Sequence, residues 1–223
     1  DAARAIYLPE GKAPRYGAVL RQADLGRTLA LVAEGGAEAF YRGEIAKEIL
    51  RASDGEGGFF APEDLAGHRS TWVEPLRASF RGFEICQLPP NGQGLAVLIA
   101  LNVLTALDPD RLKQDWVQLA HGSLEAVKTA YAERDAHVAD PESYEAPLRE
   151  LLSLTFATRA AQGIGARQTV ARTKSLAGAP EGDTVYLCAA DGEGNLVSFI
   201  NSLYMGFGSG VVAGRTGVML QNR

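Results

Sequence analysis

At 223 residues the chain suits one large domain or two small ones. With 46% hydrophobic and 22% charged residues, it is neither a disordered chain, a collagen-like repeat nor a disulfide scaffold. A net charge of −5 argues against nucleic acid as a partner, since phosphate binding needs a concentrated basic surface. No apolar run reaches the roughly 18 residues of a membrane span. In chain order, Leu25, Leu29 and Val32 recur at helical spacing within 22–34, with Gly35-Gly36 as a stop. Residues 37–52 continue as a helix with Phe40, Ile45, Ile49 and Leu50, and Pro62 opens a short third one. Leu76, Phe80, Phe83 and Ile85 fit two short strands around an Arg81-Gly82 turn. Residues 89–94 read as a loop and 95–107 as a strongly apolar helix. Residues 115–138 form a helix with Trp116, Leu119, Leu124, Val127 and Tyr131 on one stripe, and 147–162 a last helix. Small and polar residues dominate 163–183, which reads as a mobile linker. β-rich runs follow at 185–190 and 196–205, joined by the turn-forming Asp191–Asn195 segment, and Val218 begins a third strand. The expected fold class is α+β. The chain starts at Asp1 without Met and stops at Arg223 inside that last run, so it is expected to be a piece of something longer.

Several residues invite chemical readings. Cys86 and Cys188 each sit in an apolar run without metal-ligand or redox spacing, and are expected to be small buried hydrophobes. Gly208-x-Gly210-x-x-Ala213 matches a loose dinucleotide pattern. The Arg215-Thr216-Gly217 turn that follows offers no helix N-terminus for a phosphate, so a tight loop is expected instead. Phe207 stands where a serine hydrolase elbow around Ser209 would need glycine. His68, His121 and His137 have no nucleophile paired with them by motif. The His121/Glu125 pair and the Glu133, Asp135, His137, Asp140 cluster could hold a hard cation, but read more simply as a solvated helix face with internal salt bridges. No metal or organic cofactor is expected.

Thr184 stands between the linker and the first strand of the sheet. It is either a strand-opening residue, for which β-branched threonine is suited, or an N-terminal nucleophile. In the second reading, cleavage before Thr184 frees its own α-amine, which titrates near ~7.7–8 and serves as general base for the hydroxyl.

The residues around Thr184 bear on that choice. Asp183-Thr184-Val185-Tyr186, Ala190–Asn195, Phe207–Gly214 and Gly217–Asn222 resemble, at matching spacing, the start of the small subunit of the γ-glutamyltranspeptidase family of N-terminal nucleophile hydrolases. Phe40–Gly43, Trp72–Pro75, Pro89–Gly94 and the 121–141 stretch resemble the end of its large subunit. The resemblance implies part of a four-layer αββα sandwich. Residues 1–183 would be the C-terminal part of the large subunit and 184–223 the N-terminal part of the small one, both from one precursor. It implies self-cleavage between Asp183 and Thr184, with Thr184 then attacking a γ-glutamyl amide such as glutathione and passing the acyl group to water or an amino acid. Ser202 falls where the family has a threonine that orients the nucleophile; Ser keeps the donor and acceptor. A cephalosporin-acylase-like or capsule-processing amidohydrolase, or a non-catalytic relative, are the alternatives.

Tyr204, Asn222 and Arg223 are expected to line the substrate. Tyr204 replaces an asparagine and Arg223 a glutamine that contact the glutamyl α-amino group in typical members. Arg suits a carboxylate better than an ammonium, which predicts a substrate carrying an acid near the scissile amide. The family's large-subunit arginine would precede Asp1, and its oxyanion glycines would follow Arg223. Each oxyanion donor is worth ~2.7–4 kcal/mol, so the 223-residue piece alone is expected to be inactive.

Overall fold

The computed structural model describes residues 2–166, 168–169 and 182–222. The chain divides into two compact units, Asp1–Ser70 with Ala177–Arg223, and Thr71–Leu176. Helix and strand are mixed, as an α+β reading requires.

The first unit opens with α1 (Ala2–Tyr7), α2 (Ala23–Tyr41), α3 (Glu44–Gly55) and α4 (Pro62–Ala66). The expected stop at Gly35-Gly36 is a break inside α2: Gly36 takes φ 58°, and the helix resumes to Tyr41. The expected continuous helix over 37–52 is also interrupted. Gly43 is extended between α2 and α3, where any Cβ would collide with the Ala39 carbonyl. Ile45 and Ile49 of α3 form a small core with Ala213, flanked by Val32, Phe40, Leu65 and Leu220. Arg42 closes the end of α2 by pairing with Glu38 and donating to the Ala66 carbonyl at 2.7 Å.

The second unit is continuous in sequence. Strands β1 (Leu76–Phe80) and β2 (Phe83–Gln87) pair antiparallel across Arg81 and Gly82. Both turn residues have positive φ, 52° and 86°, the geometry whose twist matches a two-residue hairpin. Helix α5 (Gly94–Ala106) is strongly apolar and mostly enclosed: Leu95, Leu98, Ile99 and Val103 are fully buried, while Val97 is exposed. After the short α6 (Pro109–Leu112), α7 (Trp116–His137) starts at Asp115, whose carboxylate accepts from Val117 N–H at 2.9 Å. Its buried face is Gly122, Glu125, Ala126 and Ala130, while Trp116, Leu124, Val127 and Tyr131 of the expected stripe are exposed. Ala126 and Ala130 share a core with the large Leu95, Ile99 and Val103 of α5, and Gly122 lies against Leu107 and Leu112. The expected single helix over 147–162 is two, α8 (Leu148–Leu151) and α9 (Leu154–Gln162). Ser153 Oγ accepts from Phe156 N–H at 3.1 Å and restarts the helix, and Asn102 donates to the stranded Leu152 carbonyl at 3.1 Å.

Of the expected linker, residues 167 and 170–181 lie outside the described residues, and Gly182-Asp183 already belong to a strand. Strands β3 (Gly182–Ala190) and β4 (Leu196–Met205) form an antiparallel ribbon in the first unit. Asp191 organises their turn, accepting from Glu193 N–H, Asn195 N–H and Asn195 Nδ2 at 2.7–2.9 Å. Val185, Tyr186, Leu187, Phe199 and Ile200 are exposed, so the ribbon carries apolar side chains on both faces. The expected third strand at Val218 is only an isolated bridge, Val212↔Met219, because Gly214 and Gly217 turn left-handed around a 3-10 turn at Gly214–Thr216. A Cβ on Gly217 would stand 2.5 Å from the Leu25 amide nitrogen, so this close approach needs glycine. Both cysteines are exposed, against expectation. Cys86 occupies the outward position of a two-stranded hairpin and Cys188 lies on the uncovered ribbon, and neither strand has a second layer over that face within the described residues.

Candidate active site

Thr184 and Ser202 are register partners on β3 and β4, so their side chains leave the ribbon on one face. Thr184 Oγ1 lies 2.9 Å from Ser202 Oγ. Thr184 is exposed, which leaves its hydroxyl reachable. The register then slips. Asp183 pairs with Tyr204, so Leu203 is an extra residue on β4 opposite the Asp183–Thr184 peptide bond. This is a β-bulge, the device by which a strand re-aims a side chain. Tyr204 follows with φ 75°, a left-handed conformation that costs a bulky residue of order 1–3 kcal/mol. Its N–H donates to Ser202 Oγ at 2.9 Å. One serine hydroxyl thus touches both the bulge and the Thr184 hydroxyl.

The glycine-rich segment returns to this bulge. Asn222 N–H donates to the Leu203 carbonyl at 3.3 Å, Asn222 Oδ1 accepts from Met205 N–H at 3.1 Å, and its Nδ2 faces Met205 Sδ at 2.8 Å. Gly208 has φ 54°, and a Cβ there would collide with the Leu220 carbonyl. Ser209 Oγ donates to that carbonyl and accepts from Val211 N–H, so it is occupied in tying the loop. Four of the expected site residues, Thr184, Ser202, Tyr204 and Asn222, are brought together. Asp183 joins them through its backbone pairing, and Arg223 lies outside the described residues. Sequence reasoning missed the bulge and the bonds of Asn222 to it. The only signal was the Gly-rich run itself, which announces a close backbone approach without naming its partner.

The other candidates are engaged locally. His68 stacks on Tyr41, His121 Nε2 donates to the Gly165 carbonyl at 2.8 Å, and His137 meets the Tyr144 hydroxyl at 2.6 Å. Glu125 is buried and accepts from Lys128 through both oxygens. His137 stands 3.6 Å from Glu133, and Arg134 pairs with Asp135. Among the described residues no three His, Cys, Asp or Glu side chains are grouped to hold a metal ion, and no helix is long and apolar enough to cross a membrane. Cavities of about 740 Å³ beside Tyr144 and about 580 Å³ beside Phe60 are not lined by Thr184, Ser202, Tyr204 or Asn222.

Residues 1–223 match the gamma-glutamyltranspeptidase family, and the chain belongs to it. A glutathione hydrolase-like YwrD proenzyme of Bacillus subtilis is 37% identical over 218 residues, 98% of this chain and 41% of that protein. The oxamate amidohydrolase proenzyme of Klebsiella pneumoniae is 36% identical over 220 residues, 97% of this chain and 40% of that protein. The crystal structure of cephalosporin acylase from Bacillus halodurans superposes with a TM-score of 0.87 at 41% identity, covering 99% of this chain and 39% of that one. The chain therefore spans about two fifths of the length of these relatives.

Proposed function

We propose that this chain is the maturation junction of a self-processing N-terminal threonine hydrolase or acyltransferase. Residues 1–183 belong to the large subunit and 184–223 to the small one, and β3 and β4 contribute to an αββα sandwich. In self-cleavage Thr184 Oγ1 attacks the Asp183 carbonyl carbon. The Asp183–Thr184 C–N bond breaks, the hydroxyl proton ends on the departing nitrogen, and an ester remains. Water opens the ester, leaving the Asp183 carboxyl group and a free Thr184 hydroxyl and α-amine. That amine is then the base for Oγ1 as it attacks an acyl amide. The acyl-enzyme passes its acyl group to water or to an amino acid. Ser202 orients the nucleophile.

The observation that carries this reading is the 2.9 Å Thr184–Ser202 hydroxyl contact at a bulge facing the bond to be cut. The proenzyme names of the relatives support a cut precursor. The decisive measurement is the denatured mass of the full-length protein, wild type and Thr184→Ala. Two pieces with Thr184 as a new N-terminus in the wild type, and one piece in the variant, are expected. A wild type that stays intact on long incubation leaves the non-catalytic relative as the better reading.

For the substrate we propose a γ-glutamyl or related acyl amide with an acid near the scissile bond. Arg223 suits a carboxylate, and a relative is named for oxamate, an amide directly bonded to a carboxylate. Cephalosporin acylase, also a relative by name, keeps the acylase reading as the second choice.

A further inference from the structure

Asn222 makes its bonds on either side of Tyr204, to the Leu203 carbonyl and to Met205 N–H. A left-handed tyrosine persists only where its surroundings over-determine it, and these two bonds do so. In that conformation Tyr204 N–H reaches Ser202 Oγ at 2.9 Å. A serine hydroxyl has one proton and two lone pairs. With one lone pair taken by Tyr204 N–H, the remaining hydrogen-bonding directions of Ser202 include the one occupied by Thr184 Oγ1 at 2.9 Å.

We propose that Asn222 is a positioning residue for Thr184 and acts through the bulge rather than on the substrate. It locks Leu203–Met205, the locked turn fixes the Tyr204 amide, the amide fixes the Ser202 hydroxyl, and the hydroxyl aims the nucleophile. This rests on Thr184 being the self-cleaving nucleophile, and it replaces the expectation that Asn222 contacts substrate. Both polar atoms of its side chain are directed at Met205.

Self-cleavage involves no external substrate, so it separates the two roles. The full-length precursor is followed for its rate of self-cleavage, and the mature enzyme for kcat and KM on a γ-glutamyl anilide. Asn222→Ala is expected to slow self-cleavage and lower kcat about tenfold each, with KM unchanged. Asn222→Gln keeps the amide but displaces it by a methylene; it is expected to lose as much, and covers an alanine variant that does not fold. Asn222→Asp retains the Oδ1 acceptor and is expected to stay within about threefold of wild type. A raised KM with wild-type self-cleavage overturns the inference alone. So does an aspartate variant as slow as alanine. A wild type that never cleaves overturns the nucleophile reading and the inference together.

Discussion

At the scale of single residues, the chemistry of this chain turns on which hydroxyl meets which neighbour. Thr184 and Ser202 could be matched from sequence because the family spacing carries them, and they do stand 2.9 Å apart. Tyr204 was legible as a departure from the family pattern, but its left-handed backbone was not, since nothing in a tyrosine announces φ 75°. Its significance for the substrate can be tested directly. An enzyme with Tyr204 and Arg223 in these positions is expected to prefer an acyl amide whose acyl group carries a carboxylate and no ammonium over glutathione, whose glutamyl group carries both, by about tenfold or more in kcat/KM, the scale of a charge-assisted hydrogen bond. Competition between the two substrates in the mature enzyme measures it. Equal rates would remove the role assigned to Arg223.

At the scale of elements, boundaries marked by a specific side chain were legible and faces were not. The Arg81-Gly82 hairpin, the start of α7 at Asp115 and the β3–β4 turn all carry local signals that the backbone obeys. The buried face of α7 is not the apolar stripe because burial there is decided by its neighbours: Ala126 and Ala130 share a core with Leu95, Ile99 and Val103 of α5, Gly122 sits against Leu107 and Leu112, and Glu125 is buried with Lys128 as its partner. The split between α8 and α9 is not legible for a related reason: Ser153 caps α9, but the Leu152 carbonyl that the break exposes is satisfied by Asn102, far away in sequence. The β3–β4 turn yields a pH prediction. Side-chain and backbone donors of Asn195, with lesser help from the Glu193 and Gly194 amides, hold the Asp191 carboxyl below its ordinary value. A lowered folded value means that the stabilisation is complete above the ordinary aspartate range and is lost as pH falls through the lowered one. Hydrogen-exchange protection of the Glu193 and Asn195 amides is therefore expected to be flat from neutral pH down to that range and to fall only below it. Protection already lost above the ordinary aspartate value would show that Asp191 does not organise the turn.

At the scale of the whole molecule, the first unit is assembled from the two ends of the chain. One buried hydrogen bond summarises that closure: Thr28 Oγ1 donates to the Thr216 carbonyl at 2.8 Å across 188 positions, with both residues about 95% buried. Thr28→Val keeps the shape but strands that carbonyl, and is expected to destabilise the protein by about 1–3 kcal/mol, whereas Thr28→Ser retains the donor and stays within about 1 kcal/mol. Denaturant midpoints of the two variants against wild type decide it, and a valine variant as stable as the serine one would show that the bond contributes nothing.

The same bond acquires another meaning if the chain is cut at Asp183–Thr184, because its two partners then lie on different molecules. In the uncut chain their meeting is an internal loop closure, whose entropic cost rises only slowly with the number of residues between them and is indifferent to dilution. After the cut it is an encounter between separate solutes, and the effective concentration that the tether supplied is gone. Refolding of the uncut precursor is then expected to be indifferent to dilution. Refolding of the mature protein is expected to weaken as its parts are diluted.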